Sequence, residues 1–325
     1  MSLALLFSPQ GSQSVGMGRA LAEAHPAAMN AYAEADAALG WAVSRLSWDG
    51  PPELLDNTRQ TQPCLVATSV ACLRALEEEL ADQGRGLDPA FVAGHSVGEY
   101  AALVAAGVLS LRDSLRLVAL RGELMADAEI AGGMVAVIGL DRETVAEVVR
   151  ATAAELADGD DLVVANDNAP GQVVISGTPS ALDAAAERLW EAGARRVIPL
   201  RVSGPFHSPR MSEAGASLAA AFSEVAWQRA TTAVVSNVTA EPTTDATQIR
   251  TLLARQVSSP VEWVRSVRRM TAAGVDTFVE CGPGGTLVGM VRRISPNARC
   301  LTVSDPEDLR TTTDALLGAS VSVPA

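Results

Sequence analysis

Ser96 stands in the stretch Phe91-Val92-Ala93-Gly94-His95-Ser96-Val97-Gly98-Glu99-Tyr100, where a short apolar run ends in Gly-His-Ser-Val-Gly and passes into helix formers at 101–106. Strand, tight turn and helix in that order are the setting of a nucleophile elbow. Glycines at 94 and 98 remove Cβ atoms that would collide where strand and helix cross, and the strained turn pushes the serine hydroxyl out at the end of the sheet. The following helix directs its free N–H groups at the same point, where negative charge can be stabilised. Such a serine needs a base, and the chain has three histidines. His95 adjoins the nucleophile in the elbow, where neighbouring side chains diverge, and His25 lies in an ordinary helix before Pro26. By elimination the base is His207, in a loop made rigid by Pro205 and Pro209. Arg121 sits beside Val118, Ala119 and Leu120 in a helical stretch. An arginine in apolar surroundings needs an anion: Glu99 or Glu123 from within the chain, or the carboxylate of a substrate.

Composition narrows the chemistry further. All 25 basic residues are arginine, which excludes a pyridoxal Schiff base and a phosphate loop with its lysine. A net charge of −13 argues against nucleic acid as a partner. An acidic partner, such as a carrier protein or a phosphorylated cofactor, must instead meet a local arginine cluster: Arg195-Arg196-Arg201, Arg265-Arg268-Arg269 or Arg292-Arg293. Cys64, Cys72, Cys281 and Cys300 show neither a C-x-x-C pair nor metal-ligand spacing, so they read as reduced core residues and no metal site is expected. No apolar run approaches a membrane span, and residues 1–7 lack the charged start of a signal peptide, so a cytoplasmic protein opening on a β-strand is expected.

At 325 residues and 48% hydrophobic, the chain can bury one large core with a satellite. After the first strand, a Gly/Ser loop from Ser8 to Gly18 precedes a helix over 19–39. Gln10 in that loop lies at the carboxyl end of a strand, where open α/β sheets collect ligands. Residues 41–62 read as loop, 63–80 as a long apolar helix and 111–128 as the helix bearing Arg121. From Gly133 the pattern is strand (134–138), helix (141–156), strand (161–165), turn (166–171), strand (172–177), helix (179–193) and strand (195–200). This β-α-β-β-α-β order predicts a ferredoxin-like subdomain at 132–199 inserted in an α/β domain formed by 1–131 and 200–325. Further on, a strand over 233–237 and a helix over 252–270 with a break at Pro260 are expected, and from Pro306 only a polar tail. Strand 277–280 leads into Gly282-Pro283-Gly284, a partial dinucleotide fingerprint whose third glycine is replaced by Leu287.

Several stretches in one order, spanning nearly the whole chain, resemble the malonyl-CoA:acyl carrier protein transacylase family, which includes the acyltransferases of polyketide synthases. They are Gln10-Gly11-Ser12-Gln13, the elbow 94–99, Arg121-Gly122, Asn166 to Gly177, Gly204-Pro205-Phe206-His207-Ser208, and Gln256 to Trp263. The resemblance implies an α/β-hydrolase-like fold with a ferredoxin-like insert, and a monomer. It implies Ser96 as the acylated nucleophile and His207 as its general base, with no acidic third member. The backbone N–H groups of Gln10 and Val97 would form the oxyanion hole, Arg121 would pair with the malonyl carboxylate, and Gln256 would orient His207 through its backbone. Phe206, with Val97, resembles the choices of malonyl-selective members. No cofactor is implied; the substrate is a CoA thioester, and the partner is the phosphopantetheine arm of an acyl carrier protein. Pro9 departs from the glycine common in the family, which predicts a stiffer or slightly displaced oxyanion loop. Three other readings share these residues: a thioesterase with the same Ser/His pair, an acyltransferase selective for a substituted malonyl group, and a non-catalytic docking subunit.

Overall fold

The computed structural model describes residues 2–128 and 131–318. Met1 and the end of the tail, 319–325, lie outside the described residues. Ten strands are described: β1 (Leu3–Phe7), β2 (Phe91–Gly94), β3 (Gly133–Ile138), β4 (Leu162–Ala169), β5 (Gln172–Gly177), β6 (Arg196–Pro199), β7 (Ala233–Val235), β8 (Pro242–Thr243), β9 (Thr277–Cys281) and β10 (Arg299–Val303). They form two sheets. The larger has the order β10-β9-β1-β2-β7-β8 and is parallel except for β8, which runs antiparallel to β7. The smaller, β4-β5-β3-β6, is wholly antiparallel and is built from the four consecutive strands between 133 and 199.

Each element follows from its apolar pattern. β1 is buried along its length: Leu3, Leu5 and Phe7 enter one core, and Ala4 and Leu6 the core on the opposite face. An unbroken apolar run is what a central parallel strand covered on both sides requires. The long helix Thr58–Asp82 and the helix Leu111–Asp127 cover one face; Trp263–Ala272 and Thr286–Ile294 cover the other. The small sheet places Val135, Val137, Val173 and Ile175 against the helices Arg142–Ala153 and Pro179–Glu191, forming a third core.

Register brings the chemistry to one edge. Phe7 at the end of β1 lies opposite Gly94 at the end of β2 on one side and Cys281 at the end of β9 on the other. The Gln10 loop and the elbow therefore leave adjacent strands side by side, at the carboxyl edge where parallel sheets form their sites. The elbow fits only because two side chains are missing. A Cβ on Gly98 would run into the Phe7 carbonyl, and one on Gly94 into the Gly98 carbonyl.

Several expectations are corrected. Residues 41–62 are not loop: Val43–Asp49 and Pro52–Leu55 are short helices, and the long helix starts at Thr58 rather than 63. The helix expected over 19–39 is two, Arg19–Ala24 and Pro26–Leu39, with His25 between them, because Pro26 is tolerated only at the start of a helix. Around Pro260 the chain forms Ala246–Gln256 and Trp263–Ala272 with an extended joint between them, and residues from 306 continue as the helix Pro306–Leu317. Asn166-Asp167-Asn168 belongs to β4 and not to a turn. Its turn propensity is overridden by pairing with the large unit, since Val261 N–H donates to the Ala165 carbonyl (2.9 Å) and Asp167 N–H to the Val261 carbonyl (3.0 Å).

The Gly282-Pro283-Gly284 turn is filled by the protein itself. Glu280 is buried and accepts from the N–H groups of Leu287 (2.9 Å) and Val288 (3.0 Å) at the start of the helix and from Ser8 Oγ (2.9 Å), and burial pushes its carboxyl up to about 7. The helix N-terminus that a pyrophosphate would occupy already holds a carboxylate.

The crowding at the elbow sets a test. Gly98→Ala forces backbone apart at the crossing of strand and helix, and is expected to lower the unfolding free energy by about 3 kcal/mol, read as a lower urea midpoint with unchanged slope. A midpoint equal to wild type would show that the crossing has room.

Candidate active site

Ser96 sits at the tip of the elbow with φ 52°, a left-handed conformation for a non-glycine residue. The turn is held by Asn237, just beyond β7: its Oδ1 accepts from Ser96 N–H (2.6 Å), its Nδ2 donates to the Gly94 carbonyl (2.6 Å), and its own N–H donates to Glu99 Oε2 (3.3 Å). Asn237 thus takes the Ser96 N–H. In the same turn Gly98 N–H donates to the His95 carbonyl and Glu99 N–H to the Ser96 carbonyl. Among the described residues, the N–H groups of Val97 and of Gln10 donate to no protein acceptor.

His207 also has positive φ, 58°, and is buried. Its Nε2 lies 2.8 Å from Ser96 Oγ, and its Nδ1 faces the carbonyls of Gln256 (2.9 Å) and Ser259 (3.1 Å). Carbonyls only accept, so Nδ1 carries the proton and Nε2 presents its lone pair to the serine. The loop is fixed by His207 N–H donating to the Val257 carbonyl and Ser208 Oγ to the Pro205 carbonyl. Burial first, and then the positive charge of Arg121, lower the His207 pKa to about 3. The imidazole is neutral at pH 7.

Arg121 is 1% exposed. Its Nη1 donates to Gln62 Oε1 (2.6 Å), and its Nη2 to Ser96 Oγ (2.9 Å) and Gln256 Oε1 (3.0 Å). All three partners are neutral, and among the described residues no carboxylate forms an ion pair with it. Of the two expected internal anions, Glu123 is exposed on the far side of the helix, and Glu99 is engaged elsewhere, accepting from Gln256 Nε2 (2.7 Å). Burial pushes Glu99 up to about 7. Gln256 ties the groups together, since its Nε2 also donates to the Ser96 carbonyl (2.9 Å).

These groups face a cavity of about 490 Å3, lined by Gln10, His95, Ser96, Met125, Phe206 and His207 among others. His95 turns away from the serine: its ring Nε2 meets Asn168 Oδ1 at 2.8 Å and its plane packs on Trp263, and burial lowers its pKa to about 4. His25 meets Glu78 at 3.4 Å, remote in the fold. Of the seven residues singled out from the sequence, Gln10, Ser96, Phe206 and His207 line this cavity, Arg121 and Gln256 lie behind it in hydrogen bonds to Ser96, and Val97 is buried next to Ser96 in the elbow. Sequence reasoning missed Asn237 and Gln62. The signal for Asn237 was a small polar pair, Ser236-Asn237, closing a strand of the same sheet; for Gln62 there was none beyond a glutamine in an apolar helix. Among the described residues, no group of three or more His, Cys, Asp or Glu is arranged to hold a metal ion, and no helix is long and apolar enough to cross a membrane.

Comparison with known proteins agrees with this geometry. Residues 4–302 match the model of the acyl transferase domain family. The malonyl CoA-acyl carrier protein transacylases of Bacillus subtilis (strain 168) and Escherichia coli (strain K12) are 42% and 41% identical, over 94% and 93% of this chain and 95% and 96% of theirs. An acyl-carrier-protein S-malonyltransferase crystal structure from Burkholderia pseudomallei 1710b superposes with a TM-score of 0.91 at 39% identity, covering 97% of this chain and all of that one. A type II polyketide synthase acyl-carrier protein in complex with its malonyl-transacylase superposes at 0.90 with 38% identity, over 97% of this chain and 100% of that one. The chain belongs to the acyl transferase domain family, among the malonyl-CoA:acyl carrier protein transacylases.

Proposed function

We propose that this protein transfers a malonyl group from coenzyme A to the phosphopantetheine thiol of an acyl carrier protein through an acyl-enzyme on Ser96. The observation that supports this best is the contact of one buried guanidinium, Arg121, with the nucleophile oxygen itself, 2.9 Å away, without a carboxylate partner. A cation so placed is suited to an acyl group that ends in an anion.

The chemistry follows from the hydrogen bonds. Ser96 gives its proton to His207 Nε2 as Oγ attacks the thioester carbon, and the Arg121 donor lowers the cost of the alkoxide character that develops. The two N–H groups left without protein acceptors, of Gln10 and Val97, are assigned to the oxyanion. His207, now an imidazolium, returns the proton to the departing CoA sulfur. It is held in orientation by two carbonyls, that of Gln256 among them. The carrier thiol gives its proton to His207 and attacks the malonyl-Ser96 ester; as the acyl–Oγ bond breaks, the imidazolium returns that proton to Ser96 Oγ and the malonyl thioester leaves on the carrier. The malonyl carboxylate offsets the charge of Arg121 and so removes one of the causes that depress His207, the largest after burial; the bound substrate makes its own base stronger. Phe206, which lines the cavity, is assigned to acyl selectivity. No cofactor enters these steps.

The strand orders support a division into an α/β-hydrolase-like domain, 1–131 with 200–325, and a ferredoxin-like insert, 132–199.

Incubation with malonyl-CoA is expected to add one malonyl group to wild type and none to Ser96→Ala, by intact mass, and the acyl group is expected to persist until a carrier protein is added. Rapid release of malonate without carrier would instead indicate a thioesterase. Arg121→Ala is expected to slow acylation by malonyl-CoA by on the order of 3–5 kcal/mol in activation free energy, with a smaller loss for acetyl-CoA, which forgoes only the donor to Ser96 Oγ; equal losses would remove the arginine from carboxylate binding. Because burial and Arg121 hold His207 far below the ordinary 6.5, its base form persists as pH falls. Acylation kcat/KM is therefore expected to keep most of its pH 7.5 value at pH 5.5, where an ordinary histidine is about 90% protonated. A limb falling with a midpoint near 6.5 would contradict the placement.

A further inference from the structure

The catalytic cavity opens to solvent past Asp56, Leu200 and Arg201, all exposed. Asp56 is held by Gln13 Nε2 at 2.8 Å. Arg201 is different. It lines the cavity, and among the described residues it makes no hydrogen bond or ion pair. Three arginines on nearby elements are committed, Arg210 to Asp161 (2.6 Å), Arg142 to Glu262 (2.9 Å) and Arg293 to Gln172 (2.7 Å), while Arg195 and Arg196 have side chains uncommitted among the described residues but do not line the cavity. The backbone on either side of Arg201 is pinned, by Leu200 N–H to the Met134 carbonyl (2.9 Å) and Val202 N–H to the Leu200 carbonyl (3.0 Å). A free guanidinium is thus held at the mouth of the cavity, on the segment that runs into the His207 loop.

A thioester whose carbonyl lies at Ser96 must trail its pantetheine arm outward through this mouth. The far end of that arm bears a phosphate ester in both reactions: the pyrophosphate of CoA in the first, and the phosphodiester to the carrier's serine in the second. The protein as a whole is strongly acidic, at −13, so its overall field opposes the approach of either. The planar fork of an arginine matches phosphate oxygens in pairs.

We propose that Arg201 is a phosphate-binding residue at the opening of the catalytic cavity, holding the phosphate ester that terminates the pantetheine arm of the acyl donor or acceptor. The proposal rests on the transacylase reading above and adds a subsite to it.

The test compares wild type, Arg201→Gln and Arg201→Lys in two arms. The first measures Ser96 acylation by malonyl-CoA and by malonyl-pantetheine, which lacks the phosphate. The second measures malonyl transfer from the acyl-enzyme to free phosphopantetheine and to pantetheine. Expected is a fall of about tenfold in the kcat/KM preference for the phosphorylated compound in Arg201→Gln, mostly through KM, with part of it regained in Arg201→Lys. A fall in the first arm alone assigns the contact to CoA, in the second alone to the carrier, and either supports the proposal. Preferences unchanged in both arms would overturn it, as would equal losses on all four compounds, which would mean that Arg201 only shapes the His207 loop. If wild-type Ser96 takes a malonyl group from neither donor, the transacylase reading itself fails; labelling by both donors with no preference for CoA refutes the Arg201 subsite alone.

Discussion

A guanidinium buried without a carboxylate is the constraint on which this site turns. Removing Arg121 from water costs several kcal/mol, and its three neutral acceptors, from Gln62, Gln256 and Ser96, return only part of that. The remaining deficit is what a substrate carboxylate can relieve. The same charge acts on the other groups of the site. It polarises the Ser96 hydroxyl directly and, together with burial, keeps the His207 imidazole neutral, with Nε2 free of a proton. Substrate recognition and nucleophile activation are thereby one electrostatic arrangement, and an acyl group without an anionic end meets it unfavourably.

This explains why a histidine backed by carbonyls suffices. A carboxylate behind His207 would stabilise the imidazolium, yet it would also compete for Arg121. The acid that the fold does supply, Glu99, is kept one residue removed, bound to the Gln256 side chain and the Asn237 N–H. Gln256 is the hinge of the arrangement: its carbonyl orients His207, its amide oxygen receives Arg121, and its amide nitrogen holds both Glu99 and the Ser96 carbonyl. Three elements distant in sequence, the elbow, the Arg121 helix and the helix Ala246–Gln256, meet in that one amide.

Much of this was legible in the sequence where local chemistry is strongly constrained. The elbow announces itself because a strand–turn–helix crossing tolerates only glycine at 94 and 98, and His207 follows from there being so few histidines. The parallel core was legible in the unbroken apolar run of β1. What failed to show depends on contacts between distant segments. Asn166-Asp167-Asn168 has the composition of a turn and becomes strand because β5 on one edge and Val261 on the other supply backbone partners, and Asn237 is indistinguishable from a loop asparagine until β7 is placed beside β2. The glycines after β9 mimic a nucleotide loop, but the pattern does not reveal that the preceding Glu280 turns inward to cap the helix. Residues 41–62 mislead because Gly50-Pro51-Pro52 punctuates two helices too short to show periodicity.

Among the described residues the Arg121 guanidinium touches only neutral groups, and a carboxylate meets it directly only when an acyl group brings one. That pairing is tested most directly by following the His207 ring nitrogens by 15N NMR across a pH titration of Ser96→Ala, free and saturated with malonyl-CoA or acetyl-CoA. The account predicts that malonyl-CoA raises the proton affinity of His207 by about tenfold or more, while acetyl-CoA leaves it near its value in the free protein. Equal shifts with both thioesters, or none with either, would contradict it.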